Sequence, residues 1–273
     1  LPLNLFTLCS NKIDDSAVKM KKIQLTLIQI DNYGPWTVMP QRSEADLQTV
    51  QAELFADIEQ LFAAHGGLVF HTRFDNMLAV SNKISMRVHR SIQNSINDRY
   101  PFTVSMGVGA AERPHKAQEL ATRALQSAGS SRSPERRGAL VGQCVEAPDE
   151  NWVQITHLDI DGMTSLTDSE PVYDTYVLLQ RVYLSLVSAL LKHGALVFYT
   201  GGDNFMALTN GVSQQELEVI VNEVQRVMKV NLKASVGGAA TAEAAAQLAS
   251  QGLLEIRKNR ESGKHIIFKT IDR

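Results

Sequence analysis

Apolar and polar residues alternate along Val153–Ile160, the two-residue period of a strand, and Asp159 stands at its end. The next pattern has a longer period. Tyr176, Leu179, Val182, Tyr183, Leu186, Ala189 and Leu190 recur at helical spacing within Val172–His193, and Gly194 follows as a stop. Ala195–Thr200 and Phe205–Thr209 read as two strands, joined by Gly201-Gly202-Asp203-Asn204 as a hairpin turn. Ser213 with Glu216 three residues on opens a helix to about Val230. A strand over Leu232–Gly238, an alanine-rich helix over Thr241–Arg257 and a strand over His265–Thr270 complete this half.

The first half carries the same order. Its expected elements are strand Ile23–Ile30, helix Ser43–Ala64, hairpin Leu68–Ser81, helix Ser85–Arg99, strand Phe102–Gly109 and helix Lys116–Ala128. His65–Asn82 and His193–Asn210 match at ten of eighteen positions without a gap. Thr26–Asn32 answers Thr156–Gly162, and Ser105–Ala111 answers Ser235–Thr241. The offsets, 128 and 130 residues, agree closely enough to indicate a duplicated domain. The expected fold class is α+β, two tandem ferredoxin-like βαββαβ domains of the palm or nucleotidyl cyclase kind. Their expected extents are 20–130 and 151–273, with 131–150 the linker, and Gly129–Gly138 reads as a solvated stretch between the halves. Residues 1–19 belong to neither repeat. They lack a basic leader and a small-residue cleavage site, and are expected to be an extension rather than a signal peptide.

A chain of 273 residues suffices for two such domains, each with its own core. The net charge of −2 argues against a large nucleic-acid footprint. No run reaches the roughly 18–20 apolar residues of a membrane span. Two distant cysteines, Cys9 and Cys144, exclude a thiolate zinc site on count and give no support to a disulfide. The expected location is cytoplasmic.

In the expected topology the end of the first strand faces the hairpin tip, which sets Asp159 opposite Asp203. Two carboxylates that close repel unless a cation lies between them. Oxygen donors beside a nucleotide phosphate favour Mg²⁺. Gly201 and Gly202 leave room for phosphate at the turn backbone. The plainer alternative is that Asp203 only serves a tight turn. His157 shares a strand face with Asp159, as a candidate general base or as a buried, hydrogen-bonded histidine. His65 and His193 occupy equivalent helix-to-strand connections, where structural duty is expected.

The first half has Gln29 in place of Asp159 and Arg73-Phe74 in place of the two glycines, but keeps Asp75-Asn76. It is expected to have lost metal binding and to read the substrate. Phe74 would stack on a base, with a core residue as the alternative, and Arg73 would bond phosphate or a base edge, with a solvated charge as the alternative. Asp31-Asn32-Tyr33-Gly34-Pro35-Trp36 reads as a rigid turn forming a ligand wall. Asp31, Asn32, Arg73, Phe74 and Asp75 are thus candidate substrate contacts, together with Gly201, Gly202 and Asn204.

IQIDNYGPWTV, LVFHTRFDN, RYPFTVSM, HLDID and GGDNFMA, in this order, resemble the archaeal GTP cyclohydrolase III family, also called GTP cyclohydrolase IIa. The resemblance spans Ile23 to Arg257. Asn204-Phe205 departs from the Glu-Phe ending of diguanylate cyclase turns and agrees with the cyclohydrolase. The resemblance implies an enzyme that opens the imidazole ring of GTP and removes its two outer phosphates. The product is 2-amino-5-formylamino-6-(5-phosphoribosylamino)pyrimidin-4(3H)-one, a precursor of flavin and deazaflavin coenzymes, including riboflavin. It also implies two Mg²⁺ ions, a monovalent cation such as K⁺, and a homotetramer. Asp159 and Asp203 would be the palm aspartates, and Ile160 would lend a backbone carbonyl to the metal. Asp161 has no assigned role. Two other readings stay open: a nucleotidyl cyclase acting on GTP, and a non-catalytic GTP sensor.

Overall fold

A computed structural model describes residues 21–258 and 265–270. The expected extension, 1–19, lies outside them. The chain is mixed α+β and builds two five-stranded sheets. In the first half the strands are β1 (Ile23–Ile30), β2 (Leu68–Arg73), β3 (Asn76–Val80), β4 (Val104–Ala111) and β5 (Leu140–Gly142), ordered β2-β3-β1-β4-β5. In the second they are β6 (Val153–Ile160), β7 (Leu196–Gly201), β8 (Asn204–Leu208), β9 (Leu232–Ala239) and β10 (Ile266–Thr270), ordered β7-β8-β6-β9-β10. Each sheet is antiparallel across its first four strands and takes its fifth strand parallel.

The helices are α1 (Tyr33–Val38), α2 (Glu44–Ala63), α3 (Met86–Arg99), α4 (Pro114–Ser127), α5 (Met163–Ser169), α6 (Val172–Leu191), α7 (Gln214–Met228) and α8 (Ala242–Lys258). Ser43, Ser85 and Ser213 cap α2, α3 and α7 through their hydroxyls, and Ser213 with Glu216 forms a full capping box.

Three expectations are corrected. The strand expected at 102–109 runs 104–111, because its register is set by pairing with β1 from Ile23 to Ile30. The turn expected at Asp31–Trp36 contains helix α1, matched in the second half by α5. Asn32 and Gly162 enter these helices with left-handed backbones, φ 56° and 81°. Pro35 sits in the first turn of α1, where an N–H has no intrahelical partner to lose. The expected solvated linker is also built into the first sheet. Arg136 is 4% exposed, and β5 pairs in parallel with β4, covering an edge that would otherwise present unpaired backbone.

Strand alternation divides the core. Ile28, Ile30, Val69 and Met77 face α2 and α3, whereas Ile23, Leu25, Phe70 and Leu78 face the other way. That second face joins Val153, Ile155, Phe198 and Leu208 of the other sheet in one shared core. Phe70 and Phe198 stack at its centre, ring centroids 4.2 Å apart. The halves are also tied by backbone. The His115 N–H donates to the Gly194 carbonyl at 2.9 Å, and the Glu243 N–H donates to that of Gly66 at 3.2 Å. Each helix α4 and α8 therefore starts against the helix-to-strand turn of the opposite half, beside His193 and His65. No described helix is long and apolar enough to cross a membrane.

Candidate active site

Asp159 leaves the end of β6 directly opposite Asn204 of β8, and the Ile160 N–H donates to the Asp203 carbonyl at 3.2 Å. The β-ladder alone thus brings Asp159, Ile160, Asp203 and Asn204 together. Gly201 and Gly202 make the turn with φ of 107° and 59°, which side chains rarely adopt. A Cβ at Gly201 would meet nothing within 4 Å, so the turn backbone borders open space.

The two carboxylates differ. Asp159 is 3% exposed, and its Oδ2 meets an Arg257 nitrogen at 3.0 Å. Its Oδ1 is buried and has no hydrogen-bond partner among the described residues. The Asp203 carboxyl is held above its ordinary value, first by burial and then by the charge of Asp159. A buried acceptor left unpaired next to a second, charge-repelled carboxylate is the arrangement a cation relieves. No group of three or more His, Cys, Asp or Glu residues among those described could hold a metal. The donors present are two carboxylates plus backbone oxygen. That hard, incomplete set fits Mg²⁺, which keeps waters and takes phosphate oxygens as further ligands.

Asn204 bridges the acid and the histidine. Its Nδ2 donates to Asp203 Oδ1 at 2.8 Å, and its Oδ1 lies 3.1 Å from His157 Nε2. His157 Nδ1 lies 3.4 Å from Ser250 Oγ on α8. Burial lowers the affinity of this imidazole for a proton, so it is neutral near pH 7. Both ring nitrogens and both ends of the Asn204 amide are engaged by protein, which makes the row an orienting device for Asp203.

Three neighbours escaped the sequence reading. Arg257, in the last turn of α8, neutralises Asp159 from more than ninety residues away; its only signal was a basic residue at a helix C-terminus. Lys233, buried and in register with Asp159, pairs with Asp161 at 2.5 Å. Tyr199 donates its hydroxyl to the Gly202 carbonyl at 2.9 Å. Burial first, and then Tyr176 and Asp203, raise its pKa, and both tyrosines are exposed.

The first-half candidates do not gather at this site. Asp31 is buried and accepts from Ser105 Oγ, Thr103 Oγ1 and the Gly138 N–H, so it anchors the segment before β5. The Asn32 N–H donates to the Ser131 carbonyl. Arg73 and Asp75 pair with each other at 2.6 Å, and Phe74 is 62% exposed, outside any core. Gln29, Arg73 and Asn76 border a separate cavity whose wall includes neither Asp159 nor Asp203.

The raised acid has a consequence for stability. The Asp203 carboxyl binds a proton more readily folded than unfolded. Stability therefore falls as pH rises from about its ordinary 3.8 through the raised value, and the deficit persists above it. In EDTA at pH 7, Asp203→Asn is expected to melt higher than the unsubstituted chain, with the gap closing near pH 4. Excess Mg²⁺ should stabilise the unsubstituted chain more than the variant, which keeps only the Asp159 carboxylate. Thermal unfolding across pH 4–8 checks this, and a lower melting point for the variant in EDTA contradicts it.

Residues 23–270 match the model of the GTP cyclohydrolase III family. GTP cyclohydrolase III of Methanothermobacter thermautotrophicus is 56% identical over 86% of this chain and 94% of its own length. That of Methanocaldococcus jannaschii is 49% identical over 86% and 88%. Among solved structures, a bacterial light-regulated adenylyl cyclase is 13% identical with a TM-score of 0.37, covering 91% of this chain and 85% of that one; a likeness so low decides nothing. A match of this extent, with relatives this similar along nearly their whole length, is decisive: the chain belongs to the GTP cyclohydrolase III family of enzymes.

Proposed function

We propose that this protein hydrolyses GTP to 2-amino-5-formylamino-6-(5-phosphoribosylamino)pyrimidin-4(3H)-one, releasing the two outer phosphates, and so feeds flavin and deazaflavin synthesis. The observation that carries the reading is the buried, unpartnered Oδ1 of Asp159 opposite the charge-repelled carboxyl of Asp203, in a chain of this family. Asp159, Asp203 and the Ile160 carbonyl would hold Mg²⁺, with a second ion completed by substrate phosphate and a monovalent cation such as K⁺ in support. Bound there, Mg²⁺ supplies charge neutralisation at phosphate oxygens and lowers the pKa of water.

The remaining roles belong to the chain. Gly201 and Gly202 keep the turn open to a phosphate, and Asn204 with His157 holds Asp203 in place. Tyr199 and Tyr176 present rings on which a purine can stack. Arg257 balances Asp159 and would add positive charge beside a bound phosphate. The two halves, sharing one strand order, are read as ferredoxin-like copies of a duplicated unit, of which the second performs the chemistry. A homotetramer in the cytoplasm completes the proposal.

Incubation with GTP and Mg²⁺, followed by ultraviolet absorbance and product mass, tests it. Ring opening changes the purine spectrum. An unchanged spectrum with pyrophosphate and a cyclic nucleotide would replace this reading with a cyclase, and no turnover at all would leave a GTP-binding sensor.

A further inference from the structure

A cavity of about 670 Å³ lies between the halves. One wall is the first sheet, with Leu27, Gln29 and Leu78, flanked by α4. The other is α6 and β7 of the second half, with Val187, Leu196 and Phe198. Gln29, Arg73 and Asn76 stand here at the sequence positions equivalent to Asp159, Gly201 and Asn204. The cavity is thus the first-half counterpart of the acid site, with its metal-binding carboxylate removed.

Its chemistry is the reverse of the acid site. None of the described lining residues is Asp or Glu, while Arg73, Arg136, His71 and His115 all contribute. Arg73 is already paired with Asp75, and burial keeps His71 neutral, so the charge that matters is Arg136. Arg136 is 4% exposed. It donates to Gln29 Oε1 and, at 3.5 Å, to the Gly129 carbonyl, and Asp31 lies 3.9 Å away. Its Nε has no hydrogen-bond partner among the described residues. Arg136 thus puts a positive charge, with one guanidinium N–H still lacking an acceptor, into the wall of a cavity that is otherwise mostly apolar, and an anion from outside the chain complements it.

We infer that this cavity is a second ligand site, distinct from the acid site, for an organic anion. The ligand carries one carboxylate or monophosphate on a flat apolar body. The volume is that of a small-molecule site, and apolar walls with a few fixed polar groups are the usual form of one. A magnesium-bound triphosphate is the wrong ligand, because no carboxylate is present to hold the metal. The inference does not rest on the proposed reaction, since it uses none of the residues assigned to it.

The probe is 8-anilinonaphthalene-1-sulfonate, an anion on an aromatic body, titrated by fluorescence into the full chain. One saturable site per chain is expected, unchanged by GTP with Mg²⁺ and by Asp203→Asn. Thr122→Trp, which fills the cavity from α4, should weaken binding at least tenfold while leaving thermal unfolding in place. Arg136→Met should do the same; should it fail to fold, Thr122→Trp still decides. Displacement by guanosine 5′-monophosphate assigns the ligand to nucleoside monophosphates, and displacement by 1-naphthoate assigns it to flat apolar carboxylates. Competition by GTP with Mg²⁺, unaltered binding to Thr122→Trp, displacement by neither compound, or many weak sites in place of one overturns the inference.

Discussion

Asp159→Asn and Asp203→Asn are each expected to lower turnover of GTP by roughly 10²-fold or more while the chain stays folded, a magnitude typical of losing electrostatic stabilisation at a reacting centre. Asparagine keeps the size of the side chain and one carbonyl oxygen, so any loss reports charge rather than packing. The two variants should nevertheless differ in character. Asp159 is buried with Arg257 against one oxygen, so removing its charge also leaves that guanidinium without its partner. Asp203 feels Arg257 only as a weaker influence, and is disfavoured as an anion by burial and by Asp159. Raising Mg²⁺ should rescue Asp203→Asn more than Asp159→Asn, because the remaining carboxylate is the better-buried one. Activity near that of the unsubstituted chain at limiting Mg²⁺, in both variants, would remove the acid pair from the mechanism.

EDTA is expected to abolish turnover, and Mg²⁺, but not Zn²⁺, to restore it. The donors at the site are carboxylate and backbone oxygens, and the imidazole of His157 is engaged by Asn204 and Ser250. Zinc prefers nitrogen and sulfur in a closed tetrahedral set, which these residues do not offer. A chelator selective for zinc should therefore leave activity unchanged. Recovery by Zn²⁺ alone would mean that a nitrogen ligand, with His157 the nearest candidate, turns to the metal.

Much of the architecture was legible because it follows from local chemistry. Serines before apolar-periodic segments marked the starts of α2, α3 and α7 to within a residue, since a hydroxyl cap acts only on the helix that follows it. The hairpin at Gly201–Asn204 was equally plain, because positive φ in consecutive residues leaves few choices but glycine. Helices α1 and α5 were missed. They are six and seven residues long, too short for a period to show, and α1 contains Gly34 and Pro35, which argue for a turn when read alone.

By itself the sequence determined the two strand-and-helix series, the placing of Asp159 and Asp203 on facing strand and turn, and the presence of Gln29 and Arg73 at the corresponding first-half positions. These depend on residue identity at fixed spacing, and spacing is preserved in the unfolded chain. Only the tertiary structure decided what the other polar residues face. Asp31, a candidate contact in the sequence, has its oxygens engaged by Ser105, Thr103 and Gly138. Arg136 resembled a solvated linker charge until β5 drew its segment onto the first sheet. Arg257 came to Asp159 from a helix nearly a hundred residues later. A polar side chain's role is set by which group occupies its hydrogen-bonding positions, and those partners come from strand order and helix docking, neither of which has a local period in the chain.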